Sequence, residues 1–153
     1  MGTAEQLDYD VGFSDGTAKG PRMDFGSPGF TIVLVGRGVR DADAIEEFRE
    51  FINHHGFQFV SSYGGADILP DHKLRRGVLG THGTQGATDV VVKAEVLIVL
   101  GCRLSVNTRG YMDEYVDGKR LIIVDIDPLE HVGRDGELIQ EDVKTWLPTY
   151  TNG

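Results

Sequence analysis

Three short, nearly unbroken apolar runs, over residues 30–35, 96–100 and 121–124, constrain this chain more than any other feature. Each is dominated by Val, Ile and Leu and lacks the alternation of a strand with one wet face, so each reads as a strand buried on both sides. Strands of that kind need cover above and below, which a single chain supplies by crossing helices between parallel strands. The intervening sequence fits. Ile45, Phe48, Phe51 and Ile52 make one helical stripe, with Asp43 and Glu46 at capping-box spacing around its start and Gly56 as a stop after it. Residues 57–61 read as a second strand, 63–73 as a polar loop with a short helical turn, and 77–80 as a third strand. Thr84 is placed to cap a helix reaching Ala94, a further helix is expected over 109–115, and a weak strand over 137–140. Asp142 then caps a last helix that carries Val143, Trp146 and Leu147 and ends at Pro148. The predicted fold class is α/β, doubly wound, around a mostly parallel sheet.

At 153 residues the chain is the size of one domain. Residues 1–29 stand apart: six Gly, two Pro, scattered acids and no helical or strand period. They read as an extended arm ahead of a domain over 30–147 and a tail over 148–153. The arm's apolar residues, Leu7, Tyr9, Val11, Phe13, Met23 and Phe25, are spaced as if to dock in shallow pockets, so a homo-oligomer or a larger protein assembly held through the arm is expected. A formal net charge of −9 leaves nothing to offset repulsion from phosphates and argues against a nucleic-acid partner. One cysteine, Cys102, allows no internal disulfide, and no apolar run reaches the roughly 20 residues of a membrane span. With no signal pattern at the start, a cytoplasmic setting is expected.

Ligands of doubly wound sheets sit beyond the carboxyl ends of the strands, and four such ends draw attention here. Gly36, Arg37 and Gly38 follow the first strand, where glycines permit close backbone approach and amides could face a phosphate; they equally suit a plain strand-end turn. The dinucleotide fingerprint is broken, since its third small position is Asp41. Gly80, Thr81, His82, Gly83 and Thr84 open onto a helix N-terminus, which offers amides to an anion or needs only a cap. Gly101 and Arg103 put a guanidinium at a strand end, for a phosphate or for a surface ion pair. Asp125 and Asp127 flank one apolar residue after the strand at 121–124, placed to accept ribose hydroxyls or to cap a helix that Pro128 begins. Together the four ends suggest a nucleotide-shaped groove. Phosphate-loop, nucleophile-elbow and zinc-helix motifs are missing, and His54, His55, His72, His82 and His131 lack metal-ligand spacing. The His54–His55 pair reads as a solvated helix end, and no catalytic residue or metal ligand is expected.

From residue 29 to 147 the chain resembles the central domain of acetolactate synthases and related sugar-modifying thiamine-diphosphate enzymes. The likeness is carried by IVLVGRGV at 32–39, DILPDH at 67–72, GVLGTHGT at 77–84, AEVLIVLGCRLS at 94–105, IIVDIDPLE at 122–130 and DVKTWL at 142–147. The resemblance implies a six-stranded, Rossmann-like parallel sheet that binds FAD or ADP in some members and nothing in others, through loops matching the four strand ends above. It also implies flanking domains that supply the activating glutamate and the magnesium motif. As read here, an arm stands in place of the first and a short tail in place of the second, so thiamine diphosphate is not expected to bind to this chain alone. The expectation is therefore a non-catalytic domain reused for structural assembly through its arm. Two alternatives stand beside it: an FAD- or ADP-type nucleotide-binding module, and a subunit of a split acetolactate-synthase-like enzyme.

Overall fold

A computed structural model describes residues 23–79, 84–102, 118–127 and 136–151. Among them six strands form one sheet: β1 (Thr31–Val35), β2 (Gln58–Ser61), β3 (Arg75–Val78), β4 (Val96–Leu100), β5 (Arg120–Asp125) and β6 (Glu137–Gln140). Their order is β3-β2-β1-β4-β5-β6, and all five ladders are parallel. The described helices are α1 (Arg37–Asp41), α2 (Ile45–His55), α3 (Gln85–Lys93) and α4 (Val143–Thr149), with one 3-10 turn at Tyr63–Gly65. This is the doubly wound order in which the winding reverses between β1 and β4.

Burial on both faces explains the unbroken apolar runs. Side chains alternate across a strand, so Val33, Val35, Ile98, Leu100, Ile122 and Val124 enter one core with Phe48, Phe51 and Ile52 of α2. Their neighbours Ile32, Leu34, Leu97, Val99, Leu121 and Ile123 enter a second core with Ala87 and Val91 of α3. Neither set could be polar without placing unpaired groups in a dry interior.

Local expectations fare unevenly. Gly56 ends α2 in the left-handed conformation at φ 74°, its amide donating to the Ile52 carbonyl. Asp142 caps α4 by accepting from the Lys144 amide at 2.9 Å. The capping box at Asp43 and Glu46 does not form: the N-cap of α2 is Ala44, without a side-chain bond. The cause is α1, a short helix that the sequence reading took for a loop; the turn out of it forces Asp43 to φ 57°. Asp43 and Glu47 instead receive the ammonium of Lys144, at 3.7 and 3.4 Å, which ties α4 to this turn. The third strand runs two residues earlier than expected, because as an edge strand it accommodates Arg75 and Arg76, whose guanidinium groups donate to the Ala66 carbonyl and the Gln58 side chain. Thr84 precedes α3 as expected, but its hydroxyl accepts from the Val78 amide rather than capping the helix. Pro148 lies inside α4 rather than ending it, one residue before the helix stops. The His54–His55 pair divides: His54 is exposed, whereas the His55 ring stacks on Phe57 at 4.9 Å. The helix expected over 109–115 lies outside the described residues.

Candidate functional site

The strand ends do converge. A groove of about 690 Å³ lies across the carboxyl edge of the sheet, lined from the loops after β1, β2, β4, β5 and β6. It therefore spans the reversal between β1 and β4, where α/β sheets leave a crevice. Five of the twelve residues picked from the sequence line it: Arg37, Gly38, Gly101, Asp125 and Asp127. Gly36 sits beside them and is fully surrounded. Thr84 is not part of the lining; its contacts are with Gly77 and Val78. Gly80, Thr81, His82, Gly83 and Arg103 lie outside the described residues.

The glycines owe their identity to each other. A Cβ on Gly36 would stand 2.5 Å from the Gly101 carbonyl oxygen and 2.7 Å from the Cys102 Cα; one on Gly38 would stand 2.8 Å from the Gly101 Cα. Gly101 itself takes φ 60°, and a Cβ there would stand 2.8 Å from the Val39 amide nitrogen. The loops after β1 and β4 are thus packed backbone on backbone. Their amides follow suit: Gly36 donates to the Leu100 carbonyl at 2.9 Å and Gly38 to the Gly101 carbonyl at 2.8 Å. The expectation that this turn aims amides at a phosphate is therefore corrected at these two positions, since each N–H is bonded to the neighbouring loop.

Charge is the second feature. Among the described residues the lining carries five carboxylates, from Asp41, Asp125, Asp127, Glu141 and Asp142, against one guanidinium, that of Arg37. Arg37 is itself paired to Asp41 at 3.4 Å, and its stem lies over Gly64, where a Cβ would meet the Arg37 Cβ at 3.0 Å. Arg40 is turned to the Gly64 carbonyl and the Asp67 carboxylate, bracing α1 against the loop after β2. That guanidinium holds the Asp67 carboxyl below its ordinary value. On β5, Asp125 Oδ1 accepts from the Asp127 amide at 3.1 Å, which closes a local turn; the helix expected from Pro128 lies outside the described residues. Among the described residues no cluster of three or more His, Cys, Asp or Glu is arranged to hold a metal ion. Asp41, Glu141 and Asp142 were not assigned to the groove from the sequence: Asp41 counted only as a break in the fingerprint, and Asp142 only as a helix cap.

Fold and groove define a doubly wound α/β domain with its crevice at the topological switch point. Residues 30–148 match the family described as thiamine pyrophosphate enzyme, central domain, and the chain belongs to that family. It is 34% identical over 100 residues to the acetolactate synthase large subunit of Corynebacterium glutamicum, covering 65% of this chain and 16% of that protein. It is 33% identical over 100 residues to a probable acetolactate synthase large subunit of Methanocaldococcus jannaschii, covering 65% and 17%. It is 31% identical over 105 residues to the acetolactate synthase large subunit of Porphyra purpurea, covering 68% and 18%. The chain thus spans less than a fifth of the length of these relatives. A solved structure described as a thiamin diphosphate-dependent enzyme from Mycobacterium smegmatis superposes with TM-score 0.64 at 23% identity, covering 81% of this chain and 24% of that one. No described helix is long and apolar enough to cross a membrane.

Proposed function

We propose that this chain serves as the non-catalytic central domain of an acetolactate-synthase-like thiamine-diphosphate system, contributing packing and assembly rather than reaction chemistry. The observation that carries this reading is the charge of the groove. A diphosphate placed there would meet, among the described residues, five carboxylates and a single guanidinium already engaged by Asp41. Like charges at such range repel, and the Gly36 and Gly38 amides are bonded to the neighbouring loop. The described residues therefore do not suit a diphosphate group, whether of thiamine diphosphate or of an adenine nucleotide. The expected result is that FAD and ADP at millimolar concentration leave the melting temperature of the chain within about 1 °C of its unliganded value. Incubation with pyruvate, thiamine diphosphate and magnesium should give no turnover above background. Removal of residues 1–22 should lower the assembled mass in light scattering; an unchanged mass would refute assembly through the arm.

A nucleotide-binding module is the second reading, favoured by the position of the groove across the β1–β4 reversal. A saturable stabilisation of several degrees by ADP, weakened by Asp125→Asn, would establish it in place of the first.

A further inference from the structure

The arginines among the described residues divide into two kinds. Arg37, Arg40, Arg49 and Arg120 each pair with a carboxylate. Arg75 and Arg76, which open β3, pair with none among the described residues, and neither does Lys73 just before them. Their bonds go to neutral acceptors. Arg75 donates to the Ala66 carbonyl at 3.2 Å; Arg76 donates to Gln58 Oε1 at 3.1 Å and to the Lys73 and Arg75 carbonyls at 3.0 and 3.3 Å. Such bonds hold the guanidinium groups in place without cancelling their charge. Residues 72–76 carry no acid, in a chain of net charge −9, and of the two acids in the loop before them Asp67 is engaged by Arg40. The positive field is felt locally: burial first, then Lys73 and Arg49, hold the His72 pKa below its ordinary value.

These cations lie along an edge. β3 is the last strand on its side of the sheet, with β2 as its one sheet neighbour among the described residues. Thr84 takes both the amide and the carbonyl of Val78, so the open part of the edge runs from Arg75 to Gly77. An edge of that kind accepts an extended segment. The chain's own N-terminal residues depart from the same end of the sheet. All ladders are parallel, so Arg75 and Arg120 both sit at the amino ends of their strands, and Arg120 donates to the Asp24 carbonyl. From β5 to β3 is four strand spacings, about 19 Å. Residues 16–22 reach up to about 23 Å when extended.

Outside the described residues, the stretch 5–15 carries four carboxylates, Glu5, Asp8, Asp10 and Asp15, and no Lys or Arg. We propose that residues 5–15 dock along the outer edge of β3 in their own chain, their carboxylates set against Lys73, Arg75 and Arg76. Tethering keeps the segment concentrated at the edge, so pairs that are weak one by one act together. Complementary charge also selects the segment, since the rest of this acidic chain offers no second basic edge strand among the described residues. The inference concerns where the arm rests and stands apart from its role in assembly, which is read separately as assembled mass.

Chymotrypsin cleavage after Phe13 in the full chain, followed by mass spectrometry, reads the docking. Each rate is divided by that of a free peptide of residues 1–22 with the same substitutions in the same salt. The wild-type chain should be cut roughly fivefold more slowly than the peptide at low salt, and at the peptide's rate in about 1 M salt. Asp8→Lys with Asp10→Lys should abolish the protection, as should Lys73→Glu with Arg76→Glu, and the four changes together should restore it. Lys93→Glu, at an exposed cation on α3, should leave the protection intact. A wild-type chain cut as fast as the peptide, or an equal loss of protection in Lys93→Glu, would overturn the proposal. So would protection that grows with protein concentration, which would put the segment on a second copy. Should Lys73→Glu with Arg76→Glu not fold, Asp8→Lys with Asp10→Lys replaces no described residue and decides alone, protection kept in full being the refuting result.

Discussion

The two faces of the sheet bury strand residues of the same kind and differ in what is laid over them. One face receives Phe25, Phe48, Phe51, Phe57 and Trp146 and adds Phe59 from β2 itself, the other receives Ala87, Val91, Ala94 and Cys102 beside aliphatic strand residues. The rings are locked by orientation as well as contact: Phe48 meets Phe59 edge-on at 5.2 Å, and Phe51 sits within 6 Å of Phe25, His55, Phe57 and Trp146. Edge-to-face pairs add to the area they bury. The difference teaches that the fold is pinned from the α2–α4 side, while α3 on the opposite face supplies cover with small residues.

The change that would break this comparison most completely lifts both faces at once. Gly36→Ala drives a Cβ to within 2.7 Å of backbone in the loop after β4, and the atoms it meets there, the Gly101 oxygen and the Cys102 Cα and Cβ, are not the end of a flexible side chain. It is expected to cost more than about 3 kcal/mol in urea unfolding. Near-normal stability would mean that the two loops separate easily and do not define the groove.

Truncating one residue on each face sharpens the contrast. Phe51→Ala removes a ring with four ring neighbours and should cost about 3–5 kcal/mol. Val91→Ala, equally buried, removes two methyl groups and should cost about 2 kcal/mol. Equal losses would show that ring geometry adds nothing to the aromatic face.

These contrasts mark what could be seen in the sequence. β1, β4 and β5 were legible because burial on both faces leaves an unbroken apolar run, a signal contained within five or six residues. β3 was misplaced because an edge strand tolerates Arg75 and Arg76 and so erases that signal. The α1 helix was invisible: five residues including Gly38 and two arginines show no stripe, and Val39 alone anchors it in the core. At the groove, Gly36, Gly38 and Gly101 were recognised as special, yet the partner each approaches is far away in the chain, so the sequence suggested a ligand where the structure has a second loop. Phe25 was legible as an apolar residue spaced to dock, but the chain's own aromatic core, against which Met23 also packs, lies far away in sequence and was not.

A pH dependence should also separate the faces, since His72 borders the aromatic one, 5.6 Å from the Phe59 ring. Its Nδ1 accepts from the Leu74 amide at 3.0 Å, leaving Nε2 to donate to Asn53 Oδ1 at 2.8 Å, which fixes a neutral ring. Burial, with Lys73 and Arg49 nearby, lowers its pKa below the ordinary 6.5. Protonation then favours the unfolded chain, so its contribution is fully present above pH 6.5 and is lost as the pH falls through the lower, folded value. The stability difference between wild type and His72→Gln should therefore shrink between pH 7 and pH 5. A constant difference would show that His72 titrates alike in both states.

The smallest effect on stability is expected from Arg37→Ala, and it tests the groove rather than either face. The side chain is 71% exposed and its partner Asp41 61% exposed, four residues on along one short helix. Exposed pairs of this spacing contribute little, so urea unfolding should change by less than about 0.5 kcal/mol. The electrostatic consequence is larger than the energetic one. Without Arg37 the described lining holds five carboxylates and no cation, and any weak affinity for ADP should fall further while the fold stands unchanged. Were ADP binding instead detected in the wild type and retained at full strength in Arg37→Ala, the phosphates would have to be held by groups other than this guanidinium, and the charge argument against a diphosphate in the groove would fail.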